Sequence, residues 1–215
     1  MDLITDAYAY LLGHTQQFWD ALARHLLLSG VALAASVALC VPLGIAIARR
    51  VRLAQAVISA FGALRLIPSL AVLFLALPYL GLGLRPSLFA LTLLALPPVL
   101  INTYAGMRGV PRDVVEAASG MGMSRGQVLR RIELPLAAPS ILAGIRTAAV
   151  EVIASATLAS FISGGGLGEF IQTGFALNRT SVMLVGAVPV ALLALAAELL
   201  FGLLERRTRV AQISI

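Results

Sequence analysis

The sequence predicts an all-α integral membrane protein with about five transmembrane helices, and three observations predict it. Of 215 residues, 60% are hydrophobic and 12% charged, with a mean hydropathy of +0.96; soluble domains carry about a quarter charged residues. Several apolar runs reach the roughly 20 residues that a helix needs to cross a bilayer. All sixteen basic residues are arginine, and most lie at the ends of those runs. The net charge of +6 is therefore read as a basic rim beside a membrane and not as a nucleic-acid surface.

Residues 1–25 mix apolar and polar side chains and carry Tyr8, Tyr10, Phe18 and Trp19, which suits an external amphipathic segment with aromatics at headgroup depth. Asp2 and Asp6 stand where a cleavable signal peptide has a basic region, so none is expected. The five spans are read at 26–48, 53–80, 86–107, 139–162 and 182–204. Arg65, Pro68 and Pro78 interrupt the second, Pro97 and Pro98 the third, and Pro189 the fifth. Such prolines survive in membrane helices where neighbours satisfy the freed carbonyls. A tail at 208–215 follows.

Arginine placement sets the orientation. Arg49, Arg50 and Arg52 follow the first span. Arg108, Arg112, Arg125, Arg130 and Arg131 follow the third, and Arg206, Arg207 and Arg209 follow the fifth. Arg24, Arg85 and Arg179 fall on the other side. The positive-inside rule then puts the N-terminus outside, and the C-terminus and the 108–138 loop in the cytoplasm.

That loop is unusual in so apolar a chain. Pro111 suits a helix start, and Asp113 and Glu116 favour its first turns. Ala117, Ala118 and Ser119 let another backbone come close, and Gly120 and Gly122 end the helix. Ser124 and Gln127 have capping-box spacing for a second helix to about Leu134, which Pro135 ends.

Charges inside spans are costly and need a partner or a cavity. At about 1.5 Å per residue, Arg65 and Glu151 each lie roughly 18 Å from the cytoplasmic ends of their spans. They either face each other or the substrate pathway, or each finds a separate polar partner. Arg146 and Glu198 form a second candidate pair, roughly 10 Å deep, as a structural tie or cytoplasmic gate.

Residues 116–135, EAASGMGMSRGQVLRRIELP, match the pattern Glu-Ala-Ala, three residues, Gly, nine residues, Ile, any residue, Leu-Pro. This resembles the cytoplasmic coupling loop of ABC-importer permeases. Ile67–Ala71 (IPSLA), Asn102–Tyr104 (NTY), Ala143–Thr147 (AGIRT), Gly164–Gly168 (GGGLG) and Gly186–Val190 (GAVPV) extend the likeness over roughly residues 25–207. These motifs resemble in particular the type I permeases for osmoprotectant quaternary amines such as glycine betaine, choline and carnitine.

The resemblance implies a multi-pass inner-membrane subunit with the type I importer permease core, and no enzyme activity of its own. Its partners are a second permease subunit, identical or related, two ATPase subunits, a substrate-binding protein outside, and membrane lipid. ATP and Mg are bound by the ATPase subunits, and no cofactor is expected in this chain. Glu116, Ala117, Ala118, Gly120, Gly122 and Met123 carry over as ATPase-coupling residues. A methionine-type amino-acid permease is the alternative within the class. An ATP-independent transporter or channel is the alternative outside it, in which the coupling loop has no partner.

Other signals are negative. Gly164–Gly168 has no following Lys-Ser/Thr, so it is read as a flexible external loop and not a phosphate loop. His14 and His25 lack ligand-spaced partners and read as interfacial. Cys40 is the only cysteine, so no disulfide forms within the chain. The spans show no aromatic cage for a quaternary ammonium.

Overall fold

A computed structural model describes residues 3–213, with side chains through residue 208. The end of the 208–215 tail and the Arg209 side chain lie outside the described residues. The described chain is helical, in ten α-helices joined by short turns. α1 is Leu3–Gly13, α2 Thr15–Ile47, α3 Val51–Leu64, α4 Ser69–Leu80 and α5 Leu84–Arg108. α6 is Arg112–Gly120, α7 Arg125–Val128, α8 Leu134–Ser155, α9 Gly168–Ala176 and α10 Thr180–Ile213. A π-turn, Leu129–Glu133, joins α7 to α8, and a 3-10 segment, Ala156–Ile162, extends α8.

The core is the mutual packing of α2, α5 and α8. Leu28, Ala32, Cys40, Leu91, Ala95, Val99, Leu100, Ala148 and Val152 are buried together. Small residues set how close these helices come. A Cβ on Gly44 would meet Thr103, one on Gly106 would meet Ser140, and one on Gly144 would lie 2.6 Å from Asn102 Cβ and 2.7 Å from the Pro98 carbonyl. Helices in lipid gain little from apolar burial against one another, so this close packing is what holds them.

The two ends of the bundle follow from contacts. Ala48 after α2, Met107 at the end of α5 and Ala137 at the start of α8 pack together at one end. At the other, Gly83 N–H donates to the Ile162 carbonyl and Arg24 Nε–H to the Gly164 carbonyl. So α2 and α5 run the same way and α8 runs back. α3 and α4 must then carry the chain from the first end to the second. They do so with a 91° bend between them. Four helices are long and apolar enough to cross a membrane alone, and the bent pair supplies a fifth crossing.

The expected single helix at 53–80 is thus two. α3 has 14 residues and spans about 21 Å, short of the roughly 30 Å hydrocarbon layer. Pro68 disfavours helical geometry at Ile67, and the chain turns over Arg65–Pro68 before Ser69 starts α4. Other expectations shift too. The helix of the first span starts at Thr15 and not near residue 26, because the break falls at His14 (φ −129°). Only α1 is separate, and its Ala7, Tyr10 and Leu11 pack with Phe170, Val185 and Val190. α9 lies between the fourth and fifth expected spans; its nine residues are too few for a span signal.

The glycine run is not a loose loop. Gly164, Gly166 and Gly168 are buried, and Gly165 and Gly166 have φ of +84° and +95°. A Cβ on Gly166 would meet the His25 ring. His25 is not interfacial either: it is fully buried, with Nε2 3.0 Å from the Ile153 carbonyl oxygen. Its partner is freed because regular α8 ends two residues later, which residue spacing does not reveal.

Gly144→Val is expected to force α5 from α8 and destabilise the bundle by about 1–3 kcal/mol. A lowered thermal midpoint of the purified protein in detergent checks this; an unchanged midpoint contradicts the close-packing account.

Candidate functional site

The arginine-rich end carries the most distinctive local structure. α6 starts after Pro111, which occupies the N-cap at φ −60°, ψ 131°. The helix closes with a Schellman motif: Met123 N–H donates to the Ala118 carbonyl at 3.2 Å and Gly122 N–H to the Ser119 carbonyl at 3.0 Å. Gly122 has φ +86°, a conformation that suits glycine. Gly120 is the last residue of α6 and not the breaker. Ser124 and Gln127 then form both bonds of the capping box.

The second helix expected in the loop does not stop at Pro135. The helical path continues through the π-turn into α8, as one rod from Arg125 to Ile162. Leu134 N–H donates to the Leu129 carbonyl, five residues back, so the widened turn brings Pro135 into the opening turn of α8. Pro135, which has no N–H to donate, thus sits directly after the turn in which the hydrogen-bond ladder shifts register. The loop is therefore mechanically continuous with a membrane span.

Glu116, Ala117, Gly120 and Gly122 are exposed, and Met123 is half-buried. Ala118 is buried against the chain itself, so it seats α6 and is not part of the exposed face. Val128 is also buried, and Leu129 packs with the Ala48–Met107–Ala137 cluster. Arg49 Nη2 donates to both oxygens of Glu133, at 3.0 and 2.8 Å. The Glu133 side chain is 9% exposed, and a carboxylate buried that far needs such a partner. Ala48, Arg49, Met107, Arg108, Arg112 and Glu116 are among the residues around a cleft of about 380 Å³.

Deeper in the bundle the structure joins Arg65 and Glu151. Arg65 Nη2 lies 3.1 Å from Glu151 Oε1, and the two side chains are 49% and 31% exposed. Arg65 caps α3 at the 91° bend. It shares a recess with Ser69, Leu93, Leu94 and Pro97, opposite the middle of α5. Pro97 and Pro98 lack the N–H groups that would engage the Leu93 and Leu94 carbonyls. Arg146 bridges two carboxylates of α10, with Nε 3.6 Å from Glu198 and Nη1 3.2 Å from Glu205.

Sequence reading missed Glu133, Arg49 and Glu205 as partners. Glu133 holds the unspecified position of the loop pattern, and Arg49 counted only as rim charge. Glu205 lies beyond the expected end of its span, but it is seven residues from Glu198, two turns along one face. That spacing was the available signal.

A family model for the binding-protein-dependent transport system inner membrane component matches residues 40–210, and so includes the loop, the Arg49–Glu133 tie and the deeper charges. The chain belongs to that family. This permease is 45% identical over 184 residues to the carnitine transport permease protein OpuCB of Listeria monocytogenes, covering 86% of this chain and 84% of that one. It is 41% identical to the choline transport system permease protein OpuBB of Bacillus subtilis, covering 86% and 85%. The glycine betaine/carnitine/choline transport system permease protein OpuCB of the same organism shows the same identity and coverage.

Among solved structures, a chain of the MetNI methionine ABC transporter, in inward-facing conformations, matches with a TM-score of 0.79 at 19% identity. The match covers 91% of this chain and 98% of that one. An amino acid ABC transporter solved with histidines matches at a TM-score of 0.74 and 20% identity, covering 93% and 97%. At these identities the likeness concerns the fold, which is that of a type I importer permease. The permease is a multi-pass inner-membrane protein.

Reversing either charge of the deeper pair, by Arg65→Glu or Glu151→Arg, is expected to lower uptake in reconstituted vesicles about tenfold or more, and the double reversal to recover much of it. Double-reversal vesicles no better than the single ones would show that the two do not act as a pair.

Proposed function

We propose that this permease is one half of the translocation pathway of an ATP-driven importer for a compatible solute of the glycine betaine, carnitine or choline type. The observation that carries the reading is the exposed α6–α7 segment, capped at both of its inner ends and continuous with α8. A rigid helix with a small-residue face, rooted in a span, suits a partner cleft that pushes on the membrane bundle. The arginine-rich end is then cytoplasmic and the Arg24–Gly166 end faces outward.

Two ATPase subunits bind ATP and Mg and close on each other. Each grips one α6–α7 segment through Glu116, Ala117, Gly120, Gly122 and Met123. The motion passes through Glu133 and the π-turn into α8, while Arg49 holds the same point to the end of α2. A second permease subunit completes the path, and a binding protein delivers solute from outside. The substrate class is supported by relatives above 40% identity. A methionine-type amino-acid permease shares only the fold at 19% identity.

Glu116→Arg places a fourth positive charge beside Arg49, Arg108 and Arg112 at the cleft. It is expected to reduce ATPase co-purification and uptake by about tenfold or more, a loss typical of a reversed interfacial charge. Full ATPase recovery with normal uptake would refute docking at this segment. Uptake of methionine, with none of glycine betaine, carnitine or choline, would refute the substrate class.

A further inference from the structure

Arg65 and Glu151 have a geometry that a purely structural tie does not require. They meet through a single guanidinium nitrogen and a single carboxylate oxygen at 3.1 Å. A tight structural pair more often uses the two-pronged Arg–carboxylate arrangement. Roughly half of the Arg65 side chain and a third of that of Glu151 remain open. Both charges lie inside spans, where an ionisable group needs a partner or a watery cavity.

The backbone around Arg65 is also interrupted. Arg65, Leu66 and Ile67 N–H groups each donate to a carbonyl three residues back, at 3.1–3.2 Å, in a tight final turn. α4 then begins after Pro68, which provides no side-chain cap. Ser69, at the start of α4, lines the same recess as Arg65. The positive end of the α4 dipole therefore lies beside the guanidinium. Broken helices at mid-layer are where membrane transporters present backbone ends to polar solutes.

Resting on the solute class proposed above, we infer that Arg65 and Glu151 form an exchange site for a zwitterion. Arg65 and the start of α4 take the solute carboxylate, and Glu151 faces its quaternary ammonium. The solute replaces one internal ion pair by two, so neither protein charge is stranded in the layer while it passes. Between passages the pair closes on itself. A quaternary ammonium has no N–H to donate, so its attraction to Glu151 is purely coulombic, whereas the carboxylate accepts directed bonds from Arg65. The site thus discriminates through the carboxylate and favours betaine-type solutes over choline, which has a hydroxyl there.

The test uses the assembled permease–ATPase complex carrying Cys40→Ala and Leu66→Cys. Leu66 is 83% exposed beside Arg65, and its replacement gives a thiol for labelling. Glycine betaine and carnitine are expected to slow labelling about threefold or more once above their Kd at the site, by simple occupancy, with choline giving little protection. Arg65→Gln is expected to abolish the protection, and Arg65→Lys, which keeps the charge, to retain part of it. Equal protection by choline overturns the inference, as does protection that survives Arg65→Gln or no protection by any solute. An introduced thiol that never labels overturns it too, because the position is then closed to water and to a polar solute. Uptake by unsubstituted vesicles separates the two levels. Vesicles that carry none of the three solutes refute the solute class and the site with it; vesicles that carry glycine betaine, without protection of the introduced thiol, refute the site alone.

Discussion

An apolar layer offers no water to a stranded charge or an open helix end, so each must be answered from within the protein. This constraint organises the molecule. Arg65, at the α3–α4 bend, answers Glu151 of α8, and Arg146 answers Glu198 and Glu205 between α8 and α10. At the bundle end, Arg49 answers the buried Glu133. The rest of the architecture serves to bring these groups together. Gly44, Gly106 and Gly144 let α2, α5 and α8 approach closely enough that side chains from distant parts of the sequence meet.

The arginine-rich end shows how an exposed helical segment is joined to a membrane bundle. α6 is a separate helix closed by its C-terminal Schellman motif, and Gly122 turns the chain from it into α7. From Arg125 onward there is no joint: the π-turn lets the rod continue past Pro135 into the span. Glu133 lies in that turn, and its tie to Arg49 reaches the end of α2. The α6–α7 segment is thus tied to two core helices at once. The opposite end is also closely fitted, with the glycine turn packed over His25 and hydrogen-bonded to Arg24.

Much of this was legible in the residues. The helical class, the basic rim and the loop signals rest on local chemistry: apolar runs, arginine placement, the capping box and the glycine C-cap. The pairing of Arg65 with Glu151 was one of two open readings, and their equal depth was the clue. Less visible were the bend at Pro68, the passage of the rod through Pro135, the partners of Glu133 and Glu205, and the burial of His25. Proline marks a perturbed helix, but whether the chain bends or continues depends on the packing and hydrogen bonding around it.

The sequence by itself determined that this chain lives in a membrane, where its charged ends lie, and where its short capped helices fall. Those properties are sums or short-range patterns, and neighbouring residues suffice to set them. Only the tertiary structure decided which charges neutralise one another, which glycines are contact points and not loose turns, and that α3 and α4 together make one crossing. These depend on residues more than eighty positions apart meeting at hydrogen-bond distance, as Arg49 meets Glu133 and Arg65 meets Glu151. Such meetings follow from how the helices pack, because many sequence-distant pairs are compatible with the same local pattern.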